Sequence, residues 1–304
     1  MATNLSVFIP GGTTGFLLIH GMSGTPVEMR YIANGLARAG YTVSCPLLPG
    51  HCGTLDELRR TGWQDWLAGV ETALAELEQR CEHVFVAGLS MGAVLALKVA
   101  ARNPHIVRGT ALYSPTLWLD GWGVPAHARL FALVRQKWVA DLFHFSERPP
   151  YGIKDVRLRK IIAAALESGD PSKAGFLKLP GRLLLELRWL VDSVRRDLGS
   201  IKQPTLLLHP REDDRASLRN PTYLQHHLAG RVESVILEDS YHVITLDRQR
   251  DVVLTRTQAF AQSVLASLAT TAGDARAEPR SEKAGGERQP SHQQPQAGRP
   301  VAAA

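Results

Sequence analysis

Three short runs constrain this chain most: Phe16-Leu17-Leu18-Ile19, Val84-Phe85-Val86-Ala87 and Thr205-Leu206-Leu207-Leu208. None holds a charge and none alternates apolar with polar. Such runs belong to strands covered on both faces, as in the interior of a parallel sheet. Around them the candidate strands are Leu5–Ile9, Phe16–His20, Tyr41–Cys45, His83–Ala87, Val107–Tyr113, Pro204–His209 and Val232–Leu237. Helical patterns lie between them at Pro26–Ala39, Trp63–Gln79, Met91–Asn103, Ser217–Leu228 and Leu246–Ala269. Pro26 suits a first helical position and Gly40 a helix end. Alternation at this spacing predicts an α/β fold, a doubly wound and mostly parallel sheet.

The alternation breaks once. From Thr116 to about Ser200 no strand candidate occurs, and the helical patterns are Arg129–Phe143, Val156–Leu166 and Leu183–Leu198. Binding sites of open α/β sheets gather at strand ends, so this insertion is expected to form a helical cap over the site. The predicted division is a core of residues 1–115 and 201–271, a cap of residues 116–200, and a tail of residues 272–304. That tail carries almost no large apolar side chain and is expected to be disordered.

Charge follows the same division. Residues 125–198 hold 14 Lys and Arg against 8 Asp and Glu, and this excess equals the net +6 of the whole chain. No basic cluster with interleaved aromatics accompanies it, so nucleic acid is not an expected partner. Basic helices of this kind raise a secondary expectation of weak contact between the cap and an anionic membrane surface. No apolar run is long enough to span a bilayer, and no basic-then-apolar leader opens the sequence. The three cysteines, Cys45, Cys52 and Cys81, match no metal or redox spacing. A reduced cytoplasmic setting is the expectation.

The chemistry centres on Gly88-Leu89-Ser90-Met91-Gly92, directly after Val84–Ala87 and directly before an apolar helical run. Alone the pattern is weak. Between a strand and a helix it describes a turn tight enough to expose a strained serine, whose neighbours two residues away must be small. The helix that starts at Met91 would point its positive end at the serine oxygen. His20-Gly21-Met22 ends another strand, and the N–H groups of Met22 and Met91 would make a two-donor oxyanion hole. His20 itself precedes the serine and reads better as a structural hydrogen-bonding residue. After the Pro204–His209 strand, Glu212, Asp213 and Asp214 are all candidates for an acid that orients a histidine. His242 follows the Val232–Leu237 strand in a loop. The order Ser90, acid, His242 is the chain order of the serine–acid–histidine triad on this type of sheet.

With these residues in hand, the chain resembles the α/β hydrolases, close to the small bacterial carboxylesterases and monoacylglycerol lipases with a helical cap. The likeness runs over residues 14–114 and 203–268. It is carried by FLLIHGMSGTPVEMR from Phe16, GLSMG from Gly88, and YHVITLDRQRDVV from Tyr241. The resemblance implies Ser90 as nucleophile, His242 as general base and acid, and Met22 and Met91 as oxyanion donors. Against the family's acid loop G-x-x-D-x-x-V it aligns Asp213 with the acid, although Pro210 stands at the Gly and Ala216 at the Val. Pro49-Gly50-His51-Cys52 stands where the family often has P-G-H-G, and brings Cys52 forward as a site for thiol reagents near the serine. The implied activity is two-step hydrolysis of a small-molecule acyl ester, of medium chain length or a monoacylglycerol, with no metal or organic cofactor. Leu117, Trp118, Leu119, Trp122, Leu130, Phe131, Trp138 and Phe143 are candidate walls for an acyl pocket. Thioesterase, lactonase, peptidase and C–C hydrolase chemistry on the same triad, and a non-catalytic binder, are the alternatives.

Overall fold

The architecture is taken from a computed structural model of the chain and is described for residues 5–277. In chain order the elements of the N-terminal half are β1 (Val7–Ile9), β2 (Thr14–Ile19), α1 (Arg30–Arg38), β3 (Thr42–Cys45), α2 (Leu55–Arg60), α3 (Trp63–Glu78), β4 (His83–Leu89), α4 (Met91–Arg102) and β5 (Val107–Tyr113). The segment that follows holds α5 (Lys137–Ala140), β6 (His144–Ser146), α6 (Val156–Glu167), α7 (Pro171–Ala174), β7 (Lys178–Pro180) and α8 (Gly181–Asp197). The chain then returns to the sheet with β8 (Thr205–Pro210), α9 (Arg219–His227), β9 (Val232–Leu237) and α10 (Arg250–Ala277). The described residues up to Ala266 form one compact unit, and a second unit begins at Ser267.

Seven strands form the main sheet in the order β1-β3-β2-β4-β5-β8-β9. Only β1 runs antiparallel, at the edge against β3; all other pairings are parallel. The chain winds from β2 outward to β3, then crosses back past β2 to β4 and continues to the opposite edge. The direction of winding therefore reverses between β2 and β4, and loops leaving their carboxyl ends diverge there. That is where an open α/β sheet offers a crevice. Met22 follows β2 and Ser90 follows β4.

The apolar runs explain this sheet. Phe16–Ile19, Val84–Ala87 and Leu206–Leu208 are all buried, and β2 pairs with β4 in register from Thr14 against His83 to Ile19 against Gly88. Helix α4 is apolar on nearly every face because it packs between the sheet and α8. Leu183, Leu187, Leu190, Val191 and Val194 of α8 share one hydrophobic cluster with Leu67, Val70, Leu74 and Leu77 of α3 and with the buried face of α4. Lys98 of α4 and Asp197 of α8 close this contact at 2.6 Å.

The segment between β5 and β8 differs from the sequence expectation in two ways. Arg129–Phe143 is not one helix: a 3₁₀ stretch covers Ala126–Leu133 and α5 is a single short turn. The reason is tertiary. The guanidinium of Arg188 on α8 donates to the carbonyls of Phe131, Ala132 and Val134, which a continuous helix would have paired internally. The segment also contains strands, because β6 and β7 form a separate antiparallel pair. With three residues each, they are shorter than the four or more that make alternation visible. At the other end, α10 closes the described chain at Ala277, and the rest of the tail expected from residue 272, residues 278–304, lies outside the described residues.

Candidate active site

Ser90 sits between β4 and α4 with φ +58° and ψ −115°, a left-handed conformation that costs a non-glycine residue of order 1–3 kcal/mol. The surroundings enforce it. The Ser90 N–H donates to the Tyr113 carbonyl at 2.8 Å, tying the turn to β5. A Cβ on Gly88 would lie 2.1 Å from the Gly92 carbonyl oxygen, and one on Gly92 would lie 2.2 Å from the Ile19 carbonyl oxygen. Both glycines thus answer close backbone approaches. Ser90 Oγ lies 3.1 Å from Thr116 Oγ1.

His242 lies in the loop after β9 and Asp213 in the loop after β8. The two Asp213 oxygens stand 2.8 and 2.9 Å from His242 Nδ1. Asp213 Oδ1 also accepts from the N–H groups of Arg215 and Ala216 at 2.8 and 2.9 Å. Burial alone would raise the Asp213 carboxyl; the charge and hydrogen bond of His242 outweigh it and hold the group below its ordinary value. With Nδ1 donating to a carboxylate, Nε2 is left as the acceptor of the ring. That atom is buried and has no hydrogen-bond partner among the described residues.

The three acids of the β8 loop separate cleanly. Asp214 faces the other way and binds backbone, accepting from Gly152 N–H at 3.1 Å and His242 N–H at 3.4 Å. Glu212 is exposed and pairs with Lys154 at 2.6 Å. Only Asp213 meets the His242 ring. The backbone of the histidine loop is held on all sides: Ser114 Oγ donates to the His242 carbonyl at 2.7 Å, and Val243 N–H to the Gly152 carbonyl at 2.8 Å. Asp247, 1% exposed, accepts from the N–H groups of Tyr241, Lys154 and Asp155 at 2.8, 2.8 and 2.9 Å.

Across the crevice, the loop after β2 carries Met22 beside Ser90, while Met91 opens α4, where a helix leaves N–H groups without internal acceptors. His20 is structural: Leu48 N–H donates to its Nε2 at 3.2 Å, so Nδ1 is the donor to the Gly21 carbonyl at 2.8 Å. Burial, reinforced by the adjacent His51, keeps His20 neutral. His51 Nε2 in turn lies 2.9 Å from the Met22 carbonyl. Glu28 accepts from the Gly21 N–H at 3.1 Å, and a Cβ on Gly24 would fall 2.1 Å from its carboxyl. Burial pushes the Glu28 carboxyl up to about 7, against the Gly21 N–H and the Arg215 charge, which pull it down. Sequence reasoning missed Glu28, because a Glu in a first helical turn reads as an ordinary dipole partner.

Ser90, His242, Met22 and Thr116 line one pocket of about 880 Å³, counting its open mouth. Its apolar wall comes from Leu119, Ile153, Ile162, Leu166, Leu187, Val243 and Leu246. Of the eight side chains expected to form that wall, only Leu119 does so. Leu117 belongs to the core cluster, Trp118 packs edge-on against Tyr223, and Trp122, Leu130, Trp138 and Phe143 are exposed. Phe131 packs against Phe143 and Phe145. The polar part of the pocket holds Ser23, Glu28, Glu147, Lys173 and Arg215. Arg215 grips Glu147 through both carboxylate oxygens at 3.0 and 2.6 Å, and Ser23 Oγ donates to the same carboxylate at 3.1 Å. Cys52 is not part of this lining; burial raises its thiol to about 11, which leaves it a poor nucleophile at neutral pH. Among the described residues no group of His, Cys, Asp and Glu is arranged to hold a metal ion, and no helix is long and apolar enough to cross a membrane.

Comparison with known proteins bears on the family and the fold. The profile of the alpha/beta hydrolase family matches residues 16–255. Over 254 residues the chain is 31% identical to a thermostable monoacylglycerol lipase of Bacillus sp. strain H-257, covering 83% of this chain and 92% of that protein. A carboxylesterase of Bacillus subtilis strain 168 is 25% identical over 245 residues, 80% of this chain and 90% of its own. A solved structure reported for LipS and LipT, two metagenome-derived lipolytic enzymes, is similar at a TM-score of 0.71 and 28% identity, covering 85% of this chain and 97% of that one.

Proposed function

The chain belongs to the α/β hydrolase family, and from that premise we propose that it hydrolyses carboxylic esters through an acyl-enzyme on Ser90. His242 acts as general base and acid, Asp213 orients it, and the N–H groups of Met22 and Met91 bind the oxyanion. The observation that carries the reading is the histidine: Nδ1 is committed to Asp213, and Nε2 is buried without a partner among the described residues, in the pocket that Ser90 lines. In the first step Nε2 takes the Ser90 proton while Oγ attacks the ester carbonyl, and the carbonyl electrons move onto oxygen between the two N–H donors. Collapse expels the alcohol, which receives the proton from His242. Water then gives a proton to His242 and attacks the acyl carbon; the acid leaves and Ser90 regains its proton. These steps call for no metal and no organic cofactor.

Two features of the pocket support a substrate with an acyl chain and a small polar alcohol. The apolar wall suits a medium-length chain, and the Ser23, Glu147 and Arg215 group suits hydroxyls, so a monoacylglycerol or a comparable ester is the proposed class. The similarity to a monoacylglycerol lipase supports the same choice. Residues 116–200 serve as the cap in this reading, because Leu119, Glu147, Ile153, Ile162, Leu166 and Leu187 all reach the pocket from that segment. The free thiols of Cys45, Cys52 and Cys81 support a reducing, cytoplasmic setting. The test is hydrolysis of p-nitrophenyl esters from acetyl to palmitoyl by wild type and Ser90→Ala. Turnover lost in the variant, with an optimum at intermediate chain length, supports the reading; turnover retained in Ser90→Ala refutes it.

A weak contact of the cap with anionic lipid has its own support. Leu133 and Leu142 are 79% and 73% exposed, Trp138 is 70% exposed, and Arg135 and Lys137 lie among them. Exposed apolar side chains with basic ones beside them are the pattern of an interfacial segment. Flotation with vesicles of anionic phospholipid checks this: the protein should rise with anionic vesicles and not with zwitterionic ones, and failure to rise with either removes the idea.

A further inference from the structure

The turn that ends β5 touches both partners of the proposed proton transfer. Ser114 adopts φ +45° and spends its hydroxyl on the His242 carbonyl, while Tyr113 accepts the Ser90 N–H. Two residues on, Thr116 is 1% exposed and lines the pocket. Its hydroxyl donates to the Ser114 carbonyl at 3.1 Å and also lies 3.1 Å from Ser90 Oγ. A hydroxyl carries one proton, and a carbonyl only accepts. The Thr116 proton is therefore committed, and Ser90 must be the donor of the pair. On the other side His242 Nε2, the atom that should receive that proton, has no partner among the described residues.

We propose that Thr116 is a positioning residue that holds the Ser90 hydroxyl in a resting orientation, and that acylation begins when Ser90 leaves Thr116 for His242 Nε2. The inference rests on the esterase reading given above. The topology separates Thr116 from the Met22 oxyanion donor: it follows β5, Met22 follows β2, and β4 with Ser90 lies between them. Thr116 accordingly stands on the side of the acid and histidine loops. Its hydroxyl competes with His242 for a single proton, so the resting contact slows acylation by the worth of one neutral hydrogen bond. It has no hold on deacylation, because the acyl-enzyme carries no Ser90 proton.

The experiment is the second-order rate of labelling by a fluorophosphonate, for wild type, Thr116→Val, Thr116→Ala and Thr116→Ser. In that reaction Ser90 Oγ bonds to phosphorus, the P–F bond breaks with fluoride taking the electron pair, and the Ser90 proton passes to His242. Thr116→Val is expected to label about two- to ten-fold faster, with Thr116→Ser bringing the rate back toward wild type. With an ester whose deacylation is slow, kcat/KM should rise while kcat does not follow. A merely structural role would slow every step instead. Thr116→Val that keeps its far-ultraviolet dichroism yet labels at or below the wild-type rate overturns the inference; if that variant does not fold, Thr116→Ala carries the same expectation and the same refutation. Wild type that fails to label at Ser90 overturns the esterase reading along with it, whereas labelled wild type with slow variants overturns this inference alone.

Discussion

Replacing Gly88 by Ala tests how far the strained serine depends on its neighbours. The added Cβ would begin 2.1 Å from the Gly92 carbonyl oxygen, 2.2 Å from its carbon and 2.6 Å from the Ala93 nitrogen. Ordinary contact starts at 3.4 Å, so the first turn of α4 must retreat by 3.4 less 2.1, or 1.3 Å. No flexible side chain can absorb this, because all the atoms met are backbone. Overpacking of this kind costs about 1–3 kcal/mol of stability, and for a domain of this size that lowers Tm by about 5 °C. The catalytic cost should be larger. A displacement near 1 Å at a reacting group costs on the order of 10²-fold in rate, and the Met91 N–H moves with the helix. The assay is kcat/KM on a p-nitrophenyl ester beside thermal unfolding, with Gly199→Ala as control, where a new Cβ meets nothing within 4 Å. Gly88→Ala within three-fold of wild type in kcat/KM would refute the steric account of the turn.

Three further perturbations follow from named contacts. Asp213→Asn should lower kcat by about 10³- to 10⁴-fold through loss of histidine orientation, while Asp214→Asn should act mainly on stability; a larger kcat loss in Asp214→Asn would overturn the choice of acid. Glu28 is protonated to about pH 7 in the folded chain but ionises near 4.5 when unfolded, so the folded state binds the extra proton between those values. Stability should therefore fall as pH rises from 4.5 to 7, and Glu28→Gln, measured by urea unfolding, should gain on wild type across that window; a constant difference between the two would refute it. Asp247→Ala strands three backbone N–H groups and should cost about 3 kcal/mol or more, seen as a lowered urea midpoint.

What the sequence made legible was what one segment can encode by itself. Val84–Ala87 and the Gly-x-Ser-x-Gly pentad specify a buried strand, a tight turn and a helix start within consecutive residues, and each is found there. The acid loop shows the limit. Asp213 and Asp214 are adjacent, so composition cannot say which faces His242 and which the Gly152 backbone; the fold directs one each way. Arg188 breaks a helix pattern more than fifty residues away, and no local signal announces a donor arriving from elsewhere in the chain. Thr116 and Glu28 escaped notice for the same reason. Their significance lies in what folding sets beside them.

The fastening of Gly152, Lys154 and Asp155 to the histidine loop limits how this pocket can open. Asp214, Asp247 and the Val243–Gly152 bond stitch those residues to the backbone that carries His242. On the proposed mechanism, lifting that stretch would pull His242 away from Ser90 and disarm the site at the moment a substrate arrives. The flank around Lys137–Phe143 is held differently, by Lys137 on Glu186 at 2.7 Å and by the Gly181 N–H on the Phe143 carbonyl at 2.8 Å, and neither of these bonds reaches the histidine loop. On the proposed mechanism, the pocket wall made by Ile153 and the seat of His242 are one fastened piece, so a substrate must be accommodated without parting them.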